Sequence, residues 1–482
     1  MRLRQYGPSF AAAGARVCRP DRRRFFKVAG LMGVGTVLDA VANVHPVRAA
    51  TAQEKVIVIG AGVAGLSAAR NLQSRGHTVT VIEGRDRIGG RVWTVDLGGS
   101  PVDLGAQWIE GINGNPLAEF CRQRRIKTVL SDENSIRVFD SDGSRFSSDE
   151  AAGLHSWAKA VLKTLESFND DGLDSGRPDM TVADALRQLG AGQQATPRQR
   201  RYLNWAIAMN IDATEGNDAD LLSLRNFEGE GEAESFDGPQ HILPGGYGQI
   251  PKLLADGLDI RLGRRVVAVR YDASGVRVEC EKEQFRADRA VVTLPLGVLK
   301  AGRVTFSPEL PARKLEAIRA LGFGAAHKVV LRFPRRFWDN DTDFIGSVSD
   351  DGGQFVEWTD LSRTTGAPIL SLWSHGRAAR RLEQLTRSQA IDEAMKRARR
   401  MFSGSIPDPE VVALTSWTSD PLSGGCYVNL PLGASYDHLD ALAEPVNDRL
   451  FFAGEATSRR HRGTVHGAWL SGQRAAEQIA AL

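Results

Sequence analysis

Four cysteines in 482 residues, Cys18, Cys121, Cys280 and Cys426, are too few and too irregularly spaced for a disulfide framework or a thiolate metal site. Beyond residue 50 no stretch approaches 18 uncharged apolar residues, so nothing there reads as a membrane-spanning helix. A basic stripe is missing as well. The chain has 61 Lys and Arg against 58 Asp and Glu, but the first 50 residues hold nine of the bases (Arg2, Arg4, Arg16, Arg19, Arg22, Arg23, Arg24, Lys27 and Arg48) against Asp21 and Asp39. Setting these aside leaves 52 basic and 56 acidic residues, a mildly acidic body that argues against nucleic acid as a partner. Internal repeats and low-complexity tracts are also lacking. What remains, 42% hydrophobic and 25% charged with 50 Gly and 20 Pro, is an ordinary globular composition, long enough for two or three domains around a large cofactor.

The N-terminus is different in kind. Asp21 to Lys27 read D-R-R-R-F-F-K, a weakly apolar stretch runs from Val28 to Val44, and Val47-Arg48-Ala49 has the small-residue pattern of a cleavage site. Residues 1–50 therefore resemble a twin-arginine export signal, which implies a protein carried folded across the cytoplasmic membrane to the periplasm. No stable membrane insertion is expected once the signal is removed.

From Lys55 the chain reads K-V-I-V-I-G-A-G-V-A-G-L-S-A-A-R-N-L. A buried strand from Val56 to Ile59 turns through Gly60, Gly62, Ala64 and Gly65 into an amphipathic helix ending near Arg75, and a second strand from Thr78 closes on Glu83. The first glycine permits the turn, the second lets a pyrophosphate approach the backbone, and the third lets helix pack on strand. The helix N-terminus favours the phosphates, and Glu83 is placed for the ribose hydroxyls. This context, rather than the glycines alone, makes residues 55–83 a dinucleotide site.

The next block is E-G-R-D-R-I-G-G-R-V-W-T, with Arg85, Gly89, Gly90 and Arg91 following the ribose acid, and then D-L-G-A-Q-W-I-E-G from Asp103 to Gly111. It resembles the flavin-containing amine oxidase family of polyamine oxidases, monoamine oxidases and lysine-specific histone demethylases. That resemblance implies FAD as cofactor, held in part by Gly105, Ala106, Gln107 and Trp108. Further blocks keep the family's order over residues 54–482. H-I-L-P-G-G-Y-G-Q-I (His241 to Ile250) precedes a β-rich stretch in which Val266 matches the position whose backbone holds the adenine. A-L-G-F-G-A-A-H-K-V-V-L-R-F (Ala320 to Phe333) carries the matching lysine, Lys328. T-S-W-T-S-D-P-L-S-G-G-C-Y, R-L-F-F-A-G-E-A-T and G-T-V-H-G-A-W-L-S-G-Q-R-A-A supply Trp417, Gly454, Glu455, Thr464 and Val465 on the flavin side.

The resemblance also implies roles for the chemical site. Lys328 matches the family's lysine that reaches flavin N5 through a water, and Trp417 and Tyr427 match aromatics beside the flavin ring. A second caging aromatic is replaced by Thr464. Glu110 matches a carboxylate of the substrate tunnel in plant-type polyamine oxidases. His466 is a substrate contact or a structural histidine, and Glu228, Glu230, Glu232, Glu234 and Asp237 form an acidic run that attracts cations or is simply solvated. S-G-G-C-Y resembles the monoamine oxidases, in which the cysteine carries FAD through a thioether, so Cys426 is either a covalent anchor or a buried inert thiol.

The expected fold is α/β: a Rossmann-type FAD-binding domain of the glutathione-reductase kind, built from 54–114, 236–300 and 410–482, with an interleaved α+β substrate domain from 115–235 and 301–409. The expected activity is FAD-dependent oxidation of a small-molecule amine, most similar to a polyamine, with O2 reduced to H2O2. Monoamine, nicotine-type or L-amino-acid oxidation, or an amine dehydrogenase feeding a periplasmic carrier, are the alternatives within the class. A desaturase-like reaction or a flavin protein without turnover lies outside it. Oligomeric state is not encoded in any readable pattern.

Overall fold

The apolar run at Val56 becomes the middle of a five-stranded parallel sheet, ordered Leu450–Phe452, Arg289–Val292, Lys55–Ile59, Thr78–Ile82, Asp259–Arg261. The structure, a computed structural model, describes residues 53–482 apart from 227–235, 340, 351–352 and 403–404, and the side chains of 173–174. The export-signal reading of residues 1–50 and Glu228 to Glu234 of the acidic run therefore lie outside the described residues.

These strands are apolar almost throughout because both faces are covered. Val56, Val58, Val81, Val291 and Phe451 pack with helices Val63–Ser74 and Val465–Ala480, while Ile57, Ile59, Ile82, Val292 and Phe452 pack with Leu439 and Leu442 on the other side. The two helices lie close because Gly472 has no side chain: a Cβ there would sit 2.2 Å from the Ala64 carbonyl oxygen. The Ser67 hydroxyl donates to the Trp469 carbonyl at 2.9 Å across the same contact.

A second, six-stranded mixed sheet runs Val411–Leu414, Ala326–Arg332, Ile369–His375, Glu357–Asp360, Phe344–Ser347, Ile136–Phe139. It is antiparallel except for the last pair. Beside it lie helices Ser148–Asp174, Val182–Gln188 and Pro197–Ile207, the last opened by Pro197 and a Thr196–Gln199 capping box. That helix continues into a π-helical turn, Ala208–Asp212, and the short helix Ala213–Glu215.

Two strands cross the division expected from sequence. Val411–Leu414, expected with the cofactor segments, is an edge strand of the six-stranded sheet, and Thr305–Ser307, expected with the substrate segments, pairs with Val266–Asp272. Short apolar strands carry no mark of the sheet they will join. The three cysteines after residue 50 are buried free thiols, and among the described residues no helix is long and apolar enough to cross a membrane.

Candidate active site

The turn after Lys55–Ile59 shows three glycines with three different duties. Gly60 sits at φ +108°, a conformation that side chains resist. A Cβ on Gly65 would lie 1.9 Å from the Gly60 carbonyl oxygen, so this glycine sets how closely helix and turn pack. On Gly62 the Cβ direction is open for 4 Å, leaving bare backbone exposed at the start of helix Val63–Ser74. Glu83, just past the next strand, is buried and oriented: its carboxylate accepts from Ala61 N and Arg85 N, each at 2.8 Å. Two backbone donors leave acceptor capacity on a carboxylate that has about four lone-pair sites.

One continuous cavity starts at this turn and ends at the six-stranded sheet. Every cofactor and substrate residue singled out from the sequence lines it except Gly65, whose role is packing. Arg85 is tied to Asp420 at 2.8 Å, and Arg91 pairs with Glu455 at 2.7 Å. Glu455 also accepts from Val428 N and Gly463 N, both at 3.1 Å, so protein donors already surround the carboxylate expected to meet ribitol or pyrophosphate. Its position is that of a scaffold joining Arg91 to the C-terminal segments. Thr464 likewise does more than leave room: its hydroxyl caps helix Val465–Ala480 by accepting from Gly467 N at 2.9 Å, and it donates to the His461 carbonyl. His466 is buried in a ring cluster with Phe236 and His461, each about 5 Å away by centroid. That favours the structural reading of this histidine over the substrate contact.

At the far end lies Lys328, 2% exposed, on strand Ala326–Arg332. Its ammonium donates to the carbonyls of Asp103 and Gly105, each at 2.7 Å, and to Gln107 Oε1 at 3.3 Å. Burial lowers its proton affinity, while the carboxylates of Asp103 and Glu357 act against that loss. Burial likewise raises the proton affinity of the Asp103 carboxyl, which Thr94 and Tyr247 N hold by hydrogen bonds. Since Gln107 Oε1 accepts from Lys328, its amide nitrogen is left as a buried donor with no protein partner, in the cavity wall. Bare backbone at a helix N-terminus, an oriented ribose acid and this orphaned donor fit a flavin dinucleotide laid along the cavity.

The aromatic walls differ from the sequence expectation in one respect. Trp417 donates through Nε1 to the Leu104 carbonyl at 3.1 Å, and Tyr427 donates its hydroxyl to the Ala213 carbonyl at 2.7 Å, so each presents a fixed ring. A further indole, Trp373, comes from strand Ile369–His375 and lies 3.8 Å from the Lys328 ammonium, stacked on Trp108 with centroids 5.2 Å apart. Beside it His375 and the buried carboxylate of Glu357 also line the cavity. None of these three was singled out in the sequence, because they depend on strand pairing between distant segments. Cys426 is buried with its Sγ against Ala326, accepting from the backbone N–H at 3.0 Å and donating to the carbonyl at 3.4 Å. Burial pushes its thiol pKa up to about 12.

Comparison with known proteins gives the family. The family model for flavin containing amine oxidoreductase matches residues 63–480, and that for pyridine nucleotide-disulphide oxidoreductase matches residues 6–98. The chain is 36% identical over 445 residues to lysine-specific histone demethylase 1 homolog 1 of Oryza sativa subsp. japonica, covering 88% of this chain and 52% of that protein. It is 35% identical over 444 residues to probable polyamine oxidase 4 of Arabidopsis thaliana, covering 88% and 86%. The chain thus spans little more than half the length of the first curated relatives it matches. Its fold matches that of putrescine oxidase bound to putrescine with a TM-score of 0.74 at 21% identity, over 89% of this chain and 99% of the other. The chain belongs to the flavin-containing amine oxidoreductase family, and FAD is its cofactor.

Proposed function

We propose that this enzyme oxidises a di- or polyamine to an imine, which water converts to an aldehyde, with O2 reduced to H2O2. The observation that carries the substrate class is the pair of carboxylates, Glu357 and Glu110, in the wall of the cavity that also holds Lys328, Trp417 and Tyr427. An acidic stretch of cavity wall attracts cations, and a substrate with a second ammonium is drawn to it more strongly than one without. Likeness to polyamine oxidase 4 and the fold shared with putrescine oxidase support the same reading.

The flavin, when bound along this cavity, would supply the acceptor for the hydride equivalent lost by the carbon bearing the neutral amine. The chain's residues do the rest. Trp417 and Tyr427 are rigid walls that orient the amine and keep water out. Lys328 holds protons at Nζ beside the reacting centre, and Glu357 fixes the remote ammonium so that one carbon is presented. FAD is held without a covalent bond in this reading, because the Cys426 thiol is protonated and hydrogen-bonded to Ala326. SDS-denatured holoprotein is expected to show no fluorescent flavin band on a gel; a band that persists would make Cys426 the anchor. The resemblance of residues 1–50 to an export signal supports a reaction carried out beyond the cytoplasmic membrane.

Anaerobic mixing of the holoenzyme with putrescine, spermidine, spermine, phenylethylamine, nicotine and L-amino acids tests the reading. Bleaching of the flavin band by the di- and polyamines is expected, and Glu357→Gln should raise KM for them about 10- to 100-fold while leaving monoamines little changed. Bleaching confined to a monoamine, nicotine or amino acid would transfer the assignment to that substrate. Failure to form peroxide in air would point to a dehydrogenase.

A further inference from the structure

The turn that closes the short helix Ala213–Glu215 is pinned by three separate segments. Arg462 donates to both oxygens of the Glu215 carboxylate at 2.7 and 2.9 Å, and Asn429 Nδ2 donates to the Glu215 carbonyl at 3.0 Å. The next carbonyl, that of Gly216, accepts from Ala325 N at 2.7 Å. Gly216 itself sits at φ +64°, the left-handed conformation that ends a helix and that side chains resist. Its bare α-carbon faces a ring. A Cβ there would lie 2.8 Å from Tyr427 Cε2 and 3.0 Å from Cζ, and 3.3 Å from Gly324 Cα. Carbon atoms in a packed interior stay about 3.5–4.0 Å apart, so the Tyr427 ring holds its place only because residue 216 has no side chain. The ring is tied to the same helix by its hydroxyl, which donates to the Ala213 carbonyl at 2.7 Å. Tyr427 lines the cavity and Gly216 does not, so the ring stands between the turn and the cavity.

We infer that Gly216 is a positioning residue that sets how far the Tyr427 ring projects into the cavity, and with it the width left for the substrate. A methyl group at position 216 would meet a turn that cannot retreat, because Arg462, Asn429 and Ala325 hold it, so the ring is the part that moves. Restoring ordinary carbon contact takes a shift of about 0.7 Å. That shift carries the ring inward and pulls its hydroxyl off the Ala213 carbonyl. Glycine at this position therefore keeps the cavity wide at Tyr427. That the substrate is an amine rests on the proposed function; the placement of the ring does not.

The test places Gly216→Ala in three backgrounds of the holoprotein: native Tyr427, Tyr427→Phe, which keeps the ring without its hydroxyl, and Tyr427→Leu, which has no atoms at the Cε and Cζ positions. Gly366→Ala is the control for backbone strain alone, since Gly366 ends helix Ser362–Thr365 at φ +73° with 4 Å of open space around its Cβ position and lies outside the cavity wall. With tyrosine or phenylalanine at 427, Gly216→Ala should lower the urea midpoint by more than Gly366→Ala does; with leucine the two losses should match. Equal losses in all three backgrounds would overturn the inference, because the backbone and not the ring would then be what resists the methyl. Should Gly216→Ala not fold, recovery of a folded protein in the leucine background supports the inference, and failure there as well overturns it. Kinetics separate a positioned wall from general loosening: Gly216→Ala should raise KM for the amines turned over about 10-fold with kcat little changed, the scale of one carbon in a fitted pocket. In the leucine background the same change should alter KM by less than about 2-fold, and Gly366→Ala should leave it unaltered. An alanine effect on KM that persists with leucine would also overturn the inference. If no amine is oxidised while the urea midpoints behave as expected, the amine reading falls and the placement of the ring by Gly216 stands.

Discussion

Replacing Lys328 by methionine is expected to slow anaerobic flavin reduction by at least about 10²-fold, in the range seen when a positioned proton-handling side chain is lost. Methionine nearly matches lysine in length, so the pocket keeps its volume. What disappears is the group that places protons at the end of the cavity. Three acceptors lose their donor at the same time: the Asp103 carbonyl, the Gly105 carbonyl and Gln107 Oε1. Leaving buried acceptors unpaired costs about 1–3 kcal/mol each unless water enters, so the variant should also unfold more easily. Rapid-mixing absorbance at the flavin band reads the first effect and a urea titration the second. Because Lys328 makes none of the contacts of the Gly60–Gly65 turn or of Glu83, flavin content of the purified variant should stay near stoichiometric. Reduction at the native rate with full flavin would take Lys328 out of the chemistry and leave it a structural lysine.

The parts of this site that could be read from the sequence are those whose physics is local. Gly60, Gly62, Gly65 and Glu83 fall within one strand–turn–helix–strand unit, and each is required by a constraint spanning a few residues, which is why the structure finds Gly65 against the Gly60 carbonyl and Glu83 on the Ala61 amide. Lys328 was recognisable from the block around it. Trp373, Glu357 and His375 were not, because their presence in the cavity depends on the register of strands separated by tens of residues, and a one-residue slip would turn each to the opposite face. Thr464 shows the converse. Its place in a block suggested a flavin-side residue standing where an aromatic is missing, and gave no sign that its hydroxyl caps the helix that follows. The division of the chain failed at Val411–Leu414 and Thr305–Ser307 for the same reason that register was illegible.

Arg462→Met is expected to be the most destabilising single change in the cavity wall. Arg462 and Glu215 form a two-pronged ion pair at 2.7 and 2.9 Å, with side chains 5% and 2% exposed, joining residues 247 positions apart. The Glu215 carbonyl also accepts from Asn429 Nδ2 at 3.0 Å, and Ala213, two residues earlier, holds the Tyr427 hydroxyl. The pair therefore ties the helical segment after the π-helical turn to the loop that leads into helix Val465–Ala480. Removing one partner leaves a carboxylate buried and unpaired, at a cost of about 3–5 kcal/mol, whereas replacing both by apolar residues of similar size is often close to neutral. Glu215→Leu combined with Arg462→Met should thus recover most of the stability lost by Arg462→Met alone. Thermal unfolding of the single and double variants at pH 8 measures both the loss and the recovery. A loss below about 1 kcal/mol at pH 8, or a double variant no better than the single, would mean that water or another cation reaches Glu215 and that the pair is not what holds Ala213 and Tyr427 in place.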